Sequence, residues 1–285
     1  MIDLLTVTYG KELSLLRLQA NSIRLFIDRE LINKIHIVNN DDVDISFVSE
    51  WYGDLADKLE FSHYSDHDPN IIPHIYSSHQ ILKCLYALRS TRYYMILDTK
   101  NFFVKPVTKD HLFKDGLPIA SLYGKQGFDR RPWERDMWAN ICQFFHTQID
   151  VPLLYSTPFI VDKHIMLSMI ERIESQTDMS LAEYFLTQSM LEQDKHVYEF
   201  FLYSGIINDY ETVHKIVDRF VSSVWPSTIN MRHCQPDYIH RDHRLFATGI
   251  HRTAWNMVGE AWSSYLEELG LLDKDSFRQI QADML

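Results

Sequence analysis

Basic residues are the first shortage in this chain of 285 residues: 28 lysines and arginines face 39 aspartates and glutamates, for a formal charge of −11. Affinity for nucleic-acid backbones comes mainly from clustered basic side chains. The balance therefore argues against a nonspecific nucleic-acid binder but leaves room for a local basic pocket holding a diphosphate. Cysteine is scarcer still. Cys84, Cys142 and Cys234 are far apart and odd in number, which gives no disulfide framework and no close-spaced zinc motif, and points to a reduced cytoplasmic setting. No apolar run is long enough to span a bilayer, so membrane contact is limited to a peripheral patch. The opening stretch Met1-Ile2-Asp3-Leu4-Leu5-Thr6-Val7 has no basic leader or cleavage signal and reads as a first core strand. Repeats, low-complexity tracts and clear linkers are missing too. With 46% hydrophobic and 24% charged residues, what remains is an ordinary globular composition with enough chain to bury a large core.

What is present has α/β order. Residues 2–8 read as a buried strand, 13–29 as an amphipathic helix with Leu15, Leu18, Ile23 and Phe26 facing inward, and 35–39 as a second strand. Strand, helix, strand opens a parallel layout with right-handed crossovers. The stretch 41–70 has no clear pattern. Residues 77–88 repeat apolar positions at helical spacing and lead into a strand ending near Asp98. A surface loop is expected over 124–133 and a helix over 133–145. Pro158 makes 154–162 an edge strand or a bent connection. Helices are expected at 165–173, 181–191 and 198–207, short strands at 220–225 and 245–249, one helix over 251–271, and a terminal helix over 274–284. The whole reads as one domain over 1–285, with a nucleotide-binding half at about 1–105 and an acceptor-side half with C-terminal helices at about 106–285.

The stretch Tyr94-Met95-Ile96-Leu97-Asp98-Thr99-Lys100-Asn101 carries the most chemistry. A carboxylate just past a buried strand stands where open α/β sheets bind ligands. Lys100 cannot ligate a metal while protonated, but it can neutralise a diphosphate directly. Asp98, Lys100 and Asn101 thus form a candidate phosphate-binding rim; the plain alternative is a turn-capping aspartate beside a solvated lysine. Thr8 and Tyr9 follow the first strand, where Tyr9 can stack on a base or simply lid the core. Gln80 and Lys83 share a helical face and can read a base and steady a phosphate, or form a polar outer surface.

These residues, in order, carry a family resemblance. Thr6-Val7-Thr8-Tyr9, His79-Gln80-Ile81-Leu82-Lys83, the Tyr94 to Phe103 block, Tyr155-Ser156-Thr157-Pro158-Phe159 and Tyr198-Glu199-Phe200-Phe201-Leu202-Tyr203 resemble successive blocks of a little-characterised bacterial glycosyltransferase-like family. Its members resemble nucleotide-sugar transferases of the GT-A fold. The similarity covers about the first three quarters of the chain. It implies a GT-A-like α/β domain with a Rossmann-like, mostly parallel or mixed central sheet. It also implies transfer of a sugar from a nucleotide-sugar donor to a surface glycan such as capsule or lipopolysaccharide, in the cytoplasm or on the inner membrane face. The usual pattern of such enzymes has acidic residues two apart, converging on one divalent cation. Asp98 keeps the first place and Lys100 departs at the second, which leaves dependence on Mn²⁺ or Mg²⁺ open.

For the chemistry, sugar transfer with inversion needs a base for the acceptor hydroxyl and stabilisation of the departing phosphate. Glu199, a carboxylate among apolar neighbours, is the candidate base, and a salt-bridging or helix-capping glutamate is its plain alternative. Asp98 is the second catalytic candidate. Thr157 and Pro158 are placed at the acceptor pocket. Trp133 with Arg130, Arg131 and Arg135 either contacts an acceptor or forms a solvated loop. His251 or Arg252 would meet the donor phosphate from the opposite side. His233, His240, His243 and His251 stand near Cys234, Asp237 and Asp242 but lack an established metal-binding spacing. The competing functions are a noncatalytic nucleotide- or glycan-binding protein on the same scaffold, and a nucleotidyltransferase with acidic ligands elsewhere.

Overall fold

The computed structural model describes residues 1–191 and 198–284. Its first third builds β1 (Ile2–Thr8), α1 (Leu13–Phe26), β2 (Ile32–Asn39), β3 (Leu59–His63), α2 (Tyr76–Leu85) and β4 (Tyr93–Asp98). The chain then makes β5 (Asn101–Phe103), α3 (Lys109–Leu112), β6 (Phe113–Lys114), β7 (Leu117–Ala120), α4 (Lys125–Asp129) and α5 (Pro132–Phe145). β8 (Phe159–Asp162), α6 (Lys163–Thr177), α7 (Leu181–Leu191) and α8 (Glu199–Gly205) come next. β9 (Lys215–Ile216), β10 (Val221–Val224), α9 (Pro236–Arg241), β11 (Ala247–Ile250), α10 (Glu260–Glu268) and α11 (Lys274–Asp283) complete it.

The main sheet has the order β3-β2-β1-β4-β8. Its first four strands run parallel, and β8 pairs antiparallel with β4 at the edge. Buried on both faces, β1 and β4 read as continuous apolar runs, as strands of covered parallel sheets do. Alternation still sorts their side chains. Leu5, Val7, Tyr94 and Ile96 join the core that includes Ile81 and Leu82 of α2 and Phe200 and Phe201 of α8. Leu4, Met95 and Leu97 join the opposite core with Leu16, Ala20 and Ile23 of α1. After β1 the chain builds outward through β2 and β3, then returns through α2 to place β4 on the other side of β1. The order therefore reverses between β1 and β4, and such a switch point opens a crevice at the carboxyl ends of the strands. Val7 pairs with Asp98, so the two strands finish level, and Thr8-Tyr9 faces Thr99-Lys100 across that crevice.

Two smaller sheets complete the framework. β5 pairs antiparallel with β11, which pairs in parallel with β10; β7 bridges β6 and β9. The tight turn after Asp98 thus carries the chain from the main sheet into the second one. Among the described residues, no helix is long and apolar enough to cross a membrane.

Several elements differ from expectation. Residues 125–129 are helical where a loop was expected, because Phe128 is buried as an apolar anchor and Pro132 stands in the first turn of α5, where its missing N–H costs nothing. The single helix expected over 251–271 is a short 3₁₀ turn at Arg252–Ala254 followed by α10. Trp255 explains the break: fully buried against Phe277, it donates its indole N–H to the Ile250 carbonyl, so the chain folds back there. β3 was unread, since its pattern is half-exposed and ends in histidine.

Candidate functional site

Asp98 continues the alternation of Tyr94 and Ile96, so its side chain leaves β4 on the face covered by α2 and α8. There it meets Lys83. The Lys83 ammonium lies 2.7 Å from Asp98 Oδ1 and 3.1 Å from Glu199 Oε1, with its charge 5.6 Å from the centre of the Phe200 ring. The second Asp98 oxygen accepts from the Lys100 ammonium and, at 3.0 Å, from the Thr157 hydroxyl. Side-chain exposure grades the group: 4% for Glu199, 10% for Lys83, 22% for Lys100 and 26% for Asp98. The cluster therefore opens outward at Asp98 and Lys100 and closes inward at Glu199.

The charges reinforce each other. Burial alone would raise the Asp98 carboxyl, but Lys100 and Lys83 outweigh it and hold it well below the usual carboxylate range. Burial likewise works against the Lys83 ammonium, and Asp98 and Glu199 overcome it, so its pKa is raised. Tyr76 stands near enough for burial and then the Glu199 charge to raise its phenol.

A scaffold of neutral groups fixes the turn. The Asp98 amide donates to Asn101 Oδ1 at 2.8 Å, and Asn101 Nδ2 donates to the Thr157 carbonyl at 3.0 Å. Gln19, buried in α1, donates to the Asp98 and Asn101 carbonyls at 2.7 and 3.2 Å and accepts from the Thr6 hydroxyl. Gly249 pairs opposite Asn101. A Cβ there would lie 2.8 Å from Asn101 Nδ2 and 3.4 Å from the Lys100 carbonyl, so only glycine lets β11 approach this closely.

The facing wall comes from Tyr9, Glu12 and the segment after β11. Arg252 Nη1 donates to the Tyr9 hydroxyl at 2.6 Å, tying the two sides of the crevice together. Tyr9 meets His79 edge-on at 5.6 Å. The Thr99 hydroxyl donates to Glu12, and burial, with help from Asp98, raises the Glu12 carboxyl. His251 stacks on Trp225 at 4.1 Å; burial, then the charges of Lys100 and Arg252, push it down to about 4, so it is neutral near pH 7.

Of the residues singled out in the sequence, Lys83, Asp98, Lys100, Asn101, Thr157 and Glu199 are thus brought together, with Tyr9 and His251 flanking them. Asn101 is not an outward-facing donor: it is buried, and both its side-chain atoms are used in holding the turn. Gln80 and Thr8 are buried behind the crevice, and Gln80 Nε2 and Thr8 Oγ1 have no hydrogen-bond partner among the described residues. Lys83 is on the inner face of α2, not an outer rim. Gln19 and Glu12 escaped sequence reading. A glutamine inside an amphipathic helix is a signal only once its position is known to be buried, and Glu12 looked like an ordinary first-turn acid.

A divalent cation does not fit this donor set. Both Asp98 oxygens are already met by ammonium groups, and a divalent ion about 4 Å from an ammonium is repelled by roughly 8 kcal/mol at an effective dielectric near 20. Among the described residues no group of three or more His, Cys, Asp or Glu side chains could hold a metal ion, the His233–His243 region included. Two cavities, of about 470 and 550 Å³, lie among other residues. One runs past Asn39, Val43 and Phe61 beside the end of β2; the other is lined by Arg232, Arg241 and Arg244 near α9. Asp98 and Lys100 line neither, and the Arg252–Tyr9 hydrogen bond bridges the crevice.

Farther out, Tyr155 and Tyr198 stack at 5.0 Å with Trp133 edge-on to Tyr198. Beneath them the buried Glu134 accepts from Arg131 at 2.8 Å and from the Tyr155 hydroxyl at 3.0 Å. Each tyrosine is one or two residues from the centre, Tyr155 by way of Thr157 and Tyr198 by way of Glu199.

Residues 6–223 match a family described as of unknown function, DUF6492. No curated protein matches the chain by sequence. Among solved structures it is similar to the galactosyltransferase LgtC in complex with donor and acceptor sugar analogues, with a TM-score of 0.57, 13% identity, and 98% of this chain and 100% of that one covered. An active-site mutant of LgtC gives a TM-score of 0.54 at 11% identity, over 98% of this chain and all of the other. At that identity the likeness establishes the fold, which is GT-A.

Proposed function

The chain belongs to the DUF6492 family, and from that membership and its GT-A fold we propose that it transfers a sugar from a nucleotide-sugar donor to a glycan acceptor. One observation carries the reading: the Lys83–Asp98–Lys100 cluster stands at the crevice between the carboxyl ends of β1 and β4, where a doubly wound sheet presents ligands. The donor's nucleoside lies along Tyr9, and its diphosphate meets Lys100, with Arg252 and His251 on the facing wall. Lys100 stabilises the departing diphosphate. The acceptor enters over Trp133, Tyr155 and Tyr198, half-buried aromatic rings of a kind that suits sugar rings. Glu199 is the proposed base for its hydroxyl, and its low exposure requires the acceptor to reach past Tyr76 and Tyr198. The acceptor proposed is a bacterial surface glycan, capsule or lipopolysaccharide. The chain is placed in the cytoplasm or against the inner membrane face, and read as one domain with donor and acceptor halves meeting at this site.

The test is release of nucleoside diphosphate from a panel of nucleotide sugars with glycan acceptors. Asp98→Asn is expected to abolish turnover while circular dichroism is unchanged. Glu199→Gln is expected to lower kcat by about 10²- to 10⁴-fold, the usual range for losing a general base, with little change in donor affinity. One observation favours a second reading. Glu199 is already engaged by Lys83, which suits a noncatalytic nucleotide- or glycan-binding protein; binding without turnover across the panel would select it.

A further inference from the structure

We propose that Lys100, released from an Asp98 carboxylate that Lys83 holds in place, and Arg252 form a built-in cationic clamp for the diphosphate of a nucleoside diphosphate, serving in place of a divalent ion. This rests on the donor-site reading above and adds how the phosphate charge is met.

The two lysines have different tasks. Lys83 is fixed. It is nearly buried, bonded to both Asp98 and Glu199 and covered by Phe200, so it cannot leave without stranding two carboxylates in the interior. Lys100 is free to turn. It is the more exposed of the pair, and the Asp98 oxygen it holds also accepts from the Thr157 hydroxyl at 3.0 Å. When Lys100 swings to a phosphate oxygen, Thr157 keeps that carboxylate oxygen satisfied and Lys83 keeps the other. Asp98 is therefore the anchor that stores the ammonium, not a metal ligand.

The charge balance agrees. Lys83 and Lys100 balance Asp98 and Glu199 before ligand arrives, and on the facing wall Arg252 stands against Glu12, whose carboxyl burial raises. Arg252 supplies the next positive charge. It acts on His251 and Glu12 together with Lys100, and it donates to the Tyr9 hydroxyl, a neutral partner. A diphosphate entering the crevice thus draws Lys100 from Asp98 and Arg252 from Tyr9, opening the bridge that now spans it.

The experiment is calorimetric titration of the full chain with UDP, GDP, ADP and CDP, each in excess EDTA and in excess MnCl₂, repeated with Lys100→Met and Lys100→Asp. At least one diphosphate is expected to bind with the same affinity in both buffers. Lys100→Met is expected to weaken it about ten- to a hundredfold, the range for losing a charged hydrogen bond. Lys100→Asp is expected to bind only with Mn²⁺. Wild-type binding that appears only with Mn²⁺, or binding indifferent to Lys100→Met, overturns the clamp and leaves the donor site standing. Failure of all four diphosphates in both buffers overturns the donor-site reading itself, and the clamp with it.

Discussion

Lys83 shows how one residue changes meaning between sequence and structure. Its spacing from Gln80 correctly put both on one helical face, but nothing local revealed that this face turns inward, because the partners Asp98 and Glu199 lie 15 and 116 residues away. A buried ion pair is weak evidence of net stability, yet removing one partner is costly because the others stay charged in a poor solvent. Lys83→Met leaves two carboxylates without their shared cation and is expected to cost about 3–5 kcal/mol, measured by urea denaturation. A loss below about 1 kcal/mol would mean the cluster is better hydrated than its exposure indicates.

At the scale of elements, β1, α1, β2, α2 and β4 were legible because they obey simple periods, and the half-exposed β3 was not. β1 and β4 are continuous apolar runs bounded by polar turns, and the Asp98 turn announced itself as a polar interruption. Pairings between distant segments were not legible. No pattern in 101–103 or 247–250 says that these short stretches meet, yet that meeting turns Lys100 toward the crevice. Gly249 is where the dependence can be tested. Gly249→Ala would place a methyl 2.8 Å from Asn101 Nδ2, and Asn101 is tethered to both Asp98 and Thr157. Overpacking of this kind is expected to cost about 1–3 kcal/mol, and nucleoside diphosphate affinity should fall with it. Unchanged thermal stability together with unchanged affinity would show that β5 and β11 do not fix the turn.

The whole molecule carries its own pH signature. Burial pushes the His79 and His214 rings down to about 4, so the fold favours their neutral forms. The unfolded chain takes up these protons near pH 6.5 and the folded chain only near 4. Stability is therefore complete above the first value and falls as pH drops through the interval between them. For His214, fully buried against Tyr203, the loss amounts to roughly 3 kcal/mol. Denaturation midpoints across that interval should decline, and less steeply in His214→Gln. A flat profile would mean that these rings are reached by water.

The reversal of strand order between β1 and β4, the turn that hands the chain to a second sheet, and the lysine-held carboxylate at their junction together make one claim: donor phosphate binds at Lys100. A crystal structure with the tightest-binding nucleoside diphosphate tests it most directly. The account predicts phosphate oxygens within hydrogen-bonding distance of Lys100 Nζ, with Arg252 released from Tyr9. A diphosphate seated instead among Arg232, Arg241 and Arg244, with Lys100 still on Asp98, would contradict it.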